Sequence, residues 1–364
     1  MCITHTQYDL AVIGAGPAGA SAAITAARGG LRVLLLDADS FPREKVCGEF
    51  VSAESLSILR ELFRFTPDAG IVMRNAPQIE QARILFAGRE IQFPLRPAGL
   101  SLSRYELDAL LWKAAVQSGM QTCSSCEVRQ VEGEGPFRLA TKSGQVSSNA
   151  LIIATGRWSR FTPRVPILNG ARWIGVKQHF YESASPASSD LYFFDHGYCG
   201  VQPVGEGIVN VCAMVRSDRA TSLAEVFALD SALAKRACGW IGKSQPVSTA
   251  PLIHRTPQPV AGNLMFAGDA AAFMDPFAGD GISIALRTGL LSAGCLLARR
   301  EDRLNSVVTE YDRQYHNRFL PVIVAASRIR AMFSWPRPIQ RIVFELLRTP
   351  GALPYFTRRT RQPG

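Results

Sequence analysis

Apolar residues change their spacing several times along this chain, and each change marks an element. Residues 8–13 form a compact apolar run bounded by turn residues, the pattern of a strand buried on both faces of a parallel sheet. Residues 18–28 read as an alanine-rich helix stopped by Gly29-Gly30, and 31–36 as a second buried strand. An amphipathic helix is predicted over 52–62, then a hairpin of 83–86 with 90–93 around Ala87-Gly88. Ser103 caps another helix, with Glu106 three residues on at the capping-box position. Runs at 121–131, 137–141 and 146–150 resemble a three-stranded antiparallel meander, and 151–154 a short strand returning to the main sheet. From 172 the period shortens to two, over 172–181, 191–194, 197–205 and 208–215, which predicts a mostly antiparallel sheet. A helical stretch at 222–238 interrupts it. Residues 263–267 then give a last parallel strand and 282–297 a helix.

The pattern predicts an α/β protein in three parts. A Rossmann-like domain, with a parallel sheet and the meander, is expected from residues 1–75, 100–165 and 260–300. An antiparallel-sheet substrate domain is expected from 76–99 and 166–259, and C-terminal helices from 301–364.

The chemistry begins where the first strand ends. Gly14, Gly16 and Gly19 stand in the spacing G-x-G-x-x-G: one for a tight turn, one for close backbone approach to a pyrophosphate, one for helix packing. Pro17 suits a first helical turn, and the helix behind it would aim bare N–H groups at phosphate. Asp37 ends the second strand, placed to accept hydrogen bonds from ribose hydroxyls. Strand, glycines, helix, strand and carboxylate in that order predict a dinucleotide site. The loop 40–49 leaves the same sheet end carrying Arg43, Lys45 and Cys47: cations for an anion, and a thiol that reads equally as a small buried hydrophobe. Arg104 lies in a first helical turn, an unfavourable place for a cation, which predicts an anion within its reach. A second glycine loop, GDAAAFMDPFAGDGISIAL from 268, puts Asp269 just past a strand, then Pro276, Gly279 and Gly281 before a helix N-terminus.

Composition narrows the picture. The chain has 364 residues, 47% hydrophobic and 19% charged, without a disorder signature, an internal repeat or a nucleic-acid-binding motif. No apolar run has the length of a membrane span, and the glycine motif begins too near Met1 for a leader, so a cytoplasmic protein is expected. Eight scattered cysteines are not a disulfide framework, Cys123 and Cys126 read as residues near a strand start, and no metal site is predicted. The net charge of +10 is concentrated near the C-terminus, where 328–364 mixes arginine with bulky apolar residues. That segment reads as helices packed on the body with solvated arginines, or as an interfacial pair in peripheral contact with the inner face of a membrane.

These motifs together resemble the geranylgeranyl reductase family of FAD-dependent oxidoreductases, relatives of the aromatic hydroxylases and flavin-dependent halogenases. GAGPAG at 14–19, PREKVCGE at 42–49, SRYELDALL at 103–111 and GDAAAFMDPFAGDGI at 268–282 carry the resemblance, in order, up to about Leu297. It implies FAD held by Gly14, Gly16, Pro17, Ala18 and Gly19 at the pyrophosphate and by Asp37 and Ala38 at the ribose. Arg43, Lys45, Arg104, Val128, Thr155, Gly156, Gly268 and Asp269 would line the rest, with Pro276, Gly279, Gly281 and Ile282 against the ring. Cys47 is the candidate catalytic residue, on the substrate side of the flavin. Hydroxylases carry an Asp-Gly pair for FAD and NADPH where this chain has Thr155-Gly156, which leaves NADPH, NADH and reduced ferredoxin all open as electron donor. The family's substrate-lining Y-x-W-x-F-P resembles Tyr198 to Pro203, with Gly200 and Gln202 in place of large aromatics. The halogenase W-x-W-x-I-P is absent. The resemblance implies reduction of carbon–carbon double bonds in a small lipophilic, isoprenoid or polyketide-like substrate, with monooxygenation of an aromatic or polyketide substrate as the alternative. It does not indicate an oligomeric state.

Overall fold

The computed structural model describes residues 7–162, 172–249, 252, 256–273, 279–332, 335 and 337–347. Its centre is a mainly parallel sheet in the order Val260–Ala261, Leu264–Phe266, Gly144–Ile153, Gln7–Ile13, Val33–Leu36 and Gln121–Cys123. Val12 pairs with Leu35 on one side and Ile152 on the other, and all three are fully buried. Such unbroken apolar strands are what a sheet covered on both faces requires.

Two helices cover one face together. Pro17–Arg28 follows the glycine turn, and Gly281–Ala298 follows the second glycine loop. They touch backbone to backbone: a Cβ on Gly289 would lie 2.1 Å from the Ala18 carbonyl oxygen. The Ser21 hydroxyl donates to the Leu286 carbonyl at 2.8 Å, a polar link across the same contact. Gly281–Ala298 is apolar and long enough to cross a membrane, but most of it is buried here in the protein core.

The second sheet is built on the strands Trp173–Tyr181, Ile208–Arg216, Gly197–Gly205, Ser188–Phe194, Gln78–Phe86 and Arg89–Ser101. All neighbours in that series are antiparallel except Ser188–Phe194 and Gln78–Phe86, which run parallel. Phe50–Val51 closes its edge against Ser101 and Leu100, so the loop 40–49 ends as part of the second sheet. The helix Leu304–Met332 packs back on the first sheet, where Tyr311 donates its hydroxyl to the Phe266 carbonyl at 2.6 Å.

The predicted meander needs correction. Gln121–Cys123 is a separate parallel strand beside Val33–Leu36, because the chain turns at Ser125, whose φ is 52°. Strand pairing there continues through Asp37, whose N–H donates to the Cys123 carbonyl. The meander proper is Val128–Glu132, Phe137–Thr141 and Gly144–Ile153. Its last strand runs straight on into the parallel sheet, so the two predicted strands at 146–150 and 151–154 are one. The helical stretch at 222–238 is two short helices, Leu223–Phe227 and Ser231–Ala237.

The Gly289 contact gives a direct stability test. Gly289→Ala should lower unfolding free energy by about 1–3 kcal/mol through overpacking, despite alanine's better helix propensity. Urea denaturation at unchanged m-value measures it; equal midpoints would mean the helices are not in backbone contact.

Candidate active site

Both helix N-termini open on one cavity of about 1070 Å³ that lies between the two sheets. Its volume is just above the range of about 300–1,000 Å³ usual for small-molecule sites. At one end lie Gly14, Gly16, Pro17 and Ala18 with Asp37 and Ala38; further along come Thr155, Gly156, Gly268, Asp269, Gly279, Gly281 and Ile282. The N–H groups of a first helical turn lack intrahelical acceptors, so two positive helix ends face the same space. A Cβ on Gly281 would meet nothing within 4 Å, and one on Gly16 only the Arg104 and Arg43 guanidinium groups at 3.8 Å.

The loop 40–49 is fixed over this end by alternating charges. Asp37 accepts from the Ala15 N–H at 2.6 Å, which holds the glycine turn, and from Arg43 at 2.6 Å. Arg43 also donates to Asp39 and to buried Asp108, and its guanidinium lies over the Phe41 ring, which stacks on Trp112. Lys45 donates to Asp39 at 2.8 Å. Arg104 donates through Nε and Nη2 to the two oxygens of Asp108 at 2.7 and 2.9 Å. Burial works against the Arg104 charge, but Asp108 outweighs it and holds the group firmly cationic. The anion predicted within reach of Arg104 is therefore, in the protein itself, a carboxylate one turn along the same helix.

A second cluster under the loop joins the sheets. Lys177, on the second sheet and almost fully buried, donates to Glu44 and Glu49, each at 2.5 Å. His179 pairs through Nε2 with Glu49 at 2.8 Å, and the Arg104 backbone N–H donates to the same carboxylate at 2.7 Å. Glu44, Glu49 and His179 are close enough to hold a cation, and the Lys177 ammonium bridges their two carboxylates. Burial would raise the Glu49 carboxyl, yet the His179 hydrogen bond and the Lys177 charge hold it below the usual range. Burial would lower Lys177, but Glu49 and Glu44 hold it above. Cys47 sits on this cluster, its thiol pushed up by burial while Arg104 pulls the other way. Its carbonyl accepts from Asn210 on the second sheet at 3.0 Å.

Beyond the loop the wall turns apolar, with Ile84, Phe86, Phe93, Leu191, Phe193 and Tyr198. Gly200 and Gln202 share that wall, and Gln202 donates to Ser101 at 2.7 Å.

Nearly all the residues singled out by sequence thus line one cavity, including Arg43, Lys45, Cys47, Arg104 and Val128. Two do not. Gly19 packs the helix onto the turn, where a Cβ would fall 1.7 Å from the Gly14 carbonyl oxygen, so it shapes the site without facing it. Pro203 lies off the wall because side chains alternate along a strand, and Tyr198, Gly200 and Gln202 take the cavity side. Pro276 lies outside the described residues. Sequence reasoning missed Lys177 and His179, which carry no local motif, and gave Glu49 no role although it ends the motif at 42–49; a lysine in an apolar alternating strand was the one available signal for the first two.

This parallel sheet, with a glycine turn leading into a helix and a second sheet over its open end, is the architecture of a flavin oxidoreductase. The sequence profile of the pyridine nucleotide-disulphide oxidoreductase family matches residues 8–191, half the chain, and the chain belongs to that family of FAD-binding oxidoreductases. It is 29% identical over 365 residues to a menaquinone reductase of Mycobacterium tuberculosis, covering 90% of this chain and 85% of the relative. It is 27% identical to digeranylgeranylglycerophospholipid reductase 1 of Methanococcoides burtonii, covering 86% and 80%. A flavin-dependent brominase shares the fold at a TM-score of 0.82 and 21% identity, over 98% of this chain and 93% of that one. A geranylgeranyl bacteriochlorophyll reductase-like protein of Thermoplasma acidophilum does so at 0.73 and 21%, over 94% and 92%. The resemblance to geranylgeranyl reductases read from the motifs holds across most of the chain.

The residues present fit FAD. The glycine positions leave the cradle open, and the buried Thr155 hydroxyl on the cavity wall has no hydrogen-bond partner among the described residues.

The buried cluster sets a pH signature. Glu49, depressed below its ordinary 4.5, contributes stability above that pH and loses it as pH falls through the lower folded value. Lys177→Met should cost about 3–5 kcal/mol at neutral pH, and adding Glu49→Gln should recover much of it. Urea titrations of wild type and Glu49→Gln from pH 7 to acid would check the sign: wild type should lose stability more steeply below about pH 4.5.

Proposed function

We propose that the protein is a reductase that adds hydrogen across a carbon–carbon double bond of a lipophilic, isoprenoid-like substrate. The observation that carries this reading is the single cavity, polar and glycine-lined where a cofactor would lie and aromatic and aliphatic beyond it. The names of the relatives, a menaquinone reductase and a digeranylgeranylglycerophospholipid reductase, point to long isoprenoid chains as the class to test first. Bound and reduced, FAD supplies a hydride, and the protein contributes placement and electrostatics.

What falls to this chain is holding the ligands, excluding water and supplying a proton to the second carbon. Gly14, Gly16 and the helix behind them would take the pyrophosphate, Asp37 the ribose, and Asp269 the ribityl chain. The aromatic wall would exclude water from the double bond. Gly200 leaves room where a ring would otherwise stand. Cys47 would donate the proton: its thiol is kept protonated by burial, and the thiolate left behind would lie near Arg104 and Lys177, both cationic.

The test uses protein loaded with FAD and photoreduced without oxygen, mixed with menaquinone, a digeranylgeranylglycerol lipid and an aromatic polyketide. Mass spectrometry should show a gain of two hydrogens on an isoprenoid chain, and Cys47→Ala should slow that gain about a hundredfold without loss of FAD. Failure to take up FAD, or a product that gains an oxygen and forms only in air, would overturn the reading and favour a monooxygenase in the latter case.

A further inference from the structure

The cavity's far wall is a helix with two faces. In Arg337–Leu347, Gln340, Val343 and Phe344 line the cavity, at the three-and-four spacing of one helical stripe. Phe344 is buried against Phe86 and Ile91, and Glu345 pairs with Arg89, so the hairpin of the second sheet holds this helix in place. A second stripe points outward. Ile339 is 44% exposed and Ile342 60%, with Leu346 continuing the row and Trp335 exposed one turn before it. Isolated apolar residues on a surface are ordinary, but four on one stripe at the mouth of an apolar cavity are a patch.

Charge says what the patch meets. Residues 328–364 hold eight arginines against one glutamate, seven of the ten net positive charges of the chain. Arg341, on this helix, is exposed. A short helix with an apolar stripe and an aromatic at its end, in a strongly basic stretch of sequence, matches the physics of interfacial binding to an anionic bilayer. A soluble protein partner would gain nothing from so one-sided a charge unless it were strongly acidic, and a second copy of this chain would bring the same positive charge.

We propose that this helix docks the protein on an anionic lipid surface and that the cavity is entered from the bilayer side. The outer stripe sits in the headgroup region, and the inner stripe is the wall past which a lipophilic molecule moves into the apolar end of the cavity without crossing water. What passes through rests on the reductase reading above; the docking does not, since it is read from the helix and the charge alone.

The experiment therefore contains no substrate. FAD-loaded protein is sedimented with vesicles of equal parts phosphatidylglycerol and phosphatidylcholine, and with phosphatidylcholine alone. Binding should require the anionic lipid and weaken as salt rises. Ile339→Glu with Ile342→Glu should lower the partition coefficient about tenfold or more, while Ile71→Glu, at an exposed isoleucine elsewhere, should not. Hydrogen exchange of the unmodified protein should show vesicle-dependent protection over 337–347, a readout independent of how the variants fold. The proposal is overturned if wild type ignores anionic vesicles or if that segment gains no protection. It is equally overturned if sedimentation velocity shows the double variant turning a dimer into a monomer, which would make a second copy the occupant. A protein that binds vesicles but reduces nothing would sink the reductase reading and leave the docking surface standing.

Discussion

The close approach of two helices is the constraint on which the site depends. Pro17–Arg28 and Gly281–Ala298 lie at backbone contact because Gly289 has no side chain to keep Ala18 away. Gly19 allows the first of them to sit equally close to the Gly14 turn. With both distances fixed by missing side chains, two helix N-termini separated by some 260 residues of sequence open side by side on one cavity. Any larger residue at these positions would push the ends apart, and an extended cofactor would lose one of its two holds.

Charge then joins the two sheets across that cavity. The loop 40–49 belongs to neither until its ions are satisfied: Asp37 and Asp108 hold Arg43 on the first sheet's side, while Lys177 and His179 hold Glu44 and Glu49 on the second. Unpaired, any of these buried groups would carry a heavy desolvation cost; paired, they set the position of the loop between them. Cys47 is carried on that loop, so its place on the cavity wall is set by groups far from it in sequence. This explains how a flexible-looking, charged connection can present a thiol in a fixed orientation.

The C-terminal helix extends the same logic to the outside. One face completes the cavity and the other remains exposed, so a single element forms both the inner wall and the outer surface at that end. The apolar end of the cavity lies directly behind that surface.

Much of this was legible in the chain itself, and the reason is locality. The glycine turns, the caps at Ser103 and the buried strands are decided by residues within a few positions of one another, where backbone sterics and short-range hydrogen bonds leave few choices. The order of those motifs was enough to indicate a dinucleotide site and a second glycine loop facing it. What sequence could not decide was everything made by distant chains meeting. It could not tell that Arg43 would find Asp108, nor that Lys177 and His179 would reach Glu49 from another sheet. It misjudged 121–131 because a single turn at Ser125 sends one half to the parallel sheet and the other to the meander. Partner choice in a sheet and in a buried ion cluster depends on which surfaces are brought together in space, and only the folded chain brings them together.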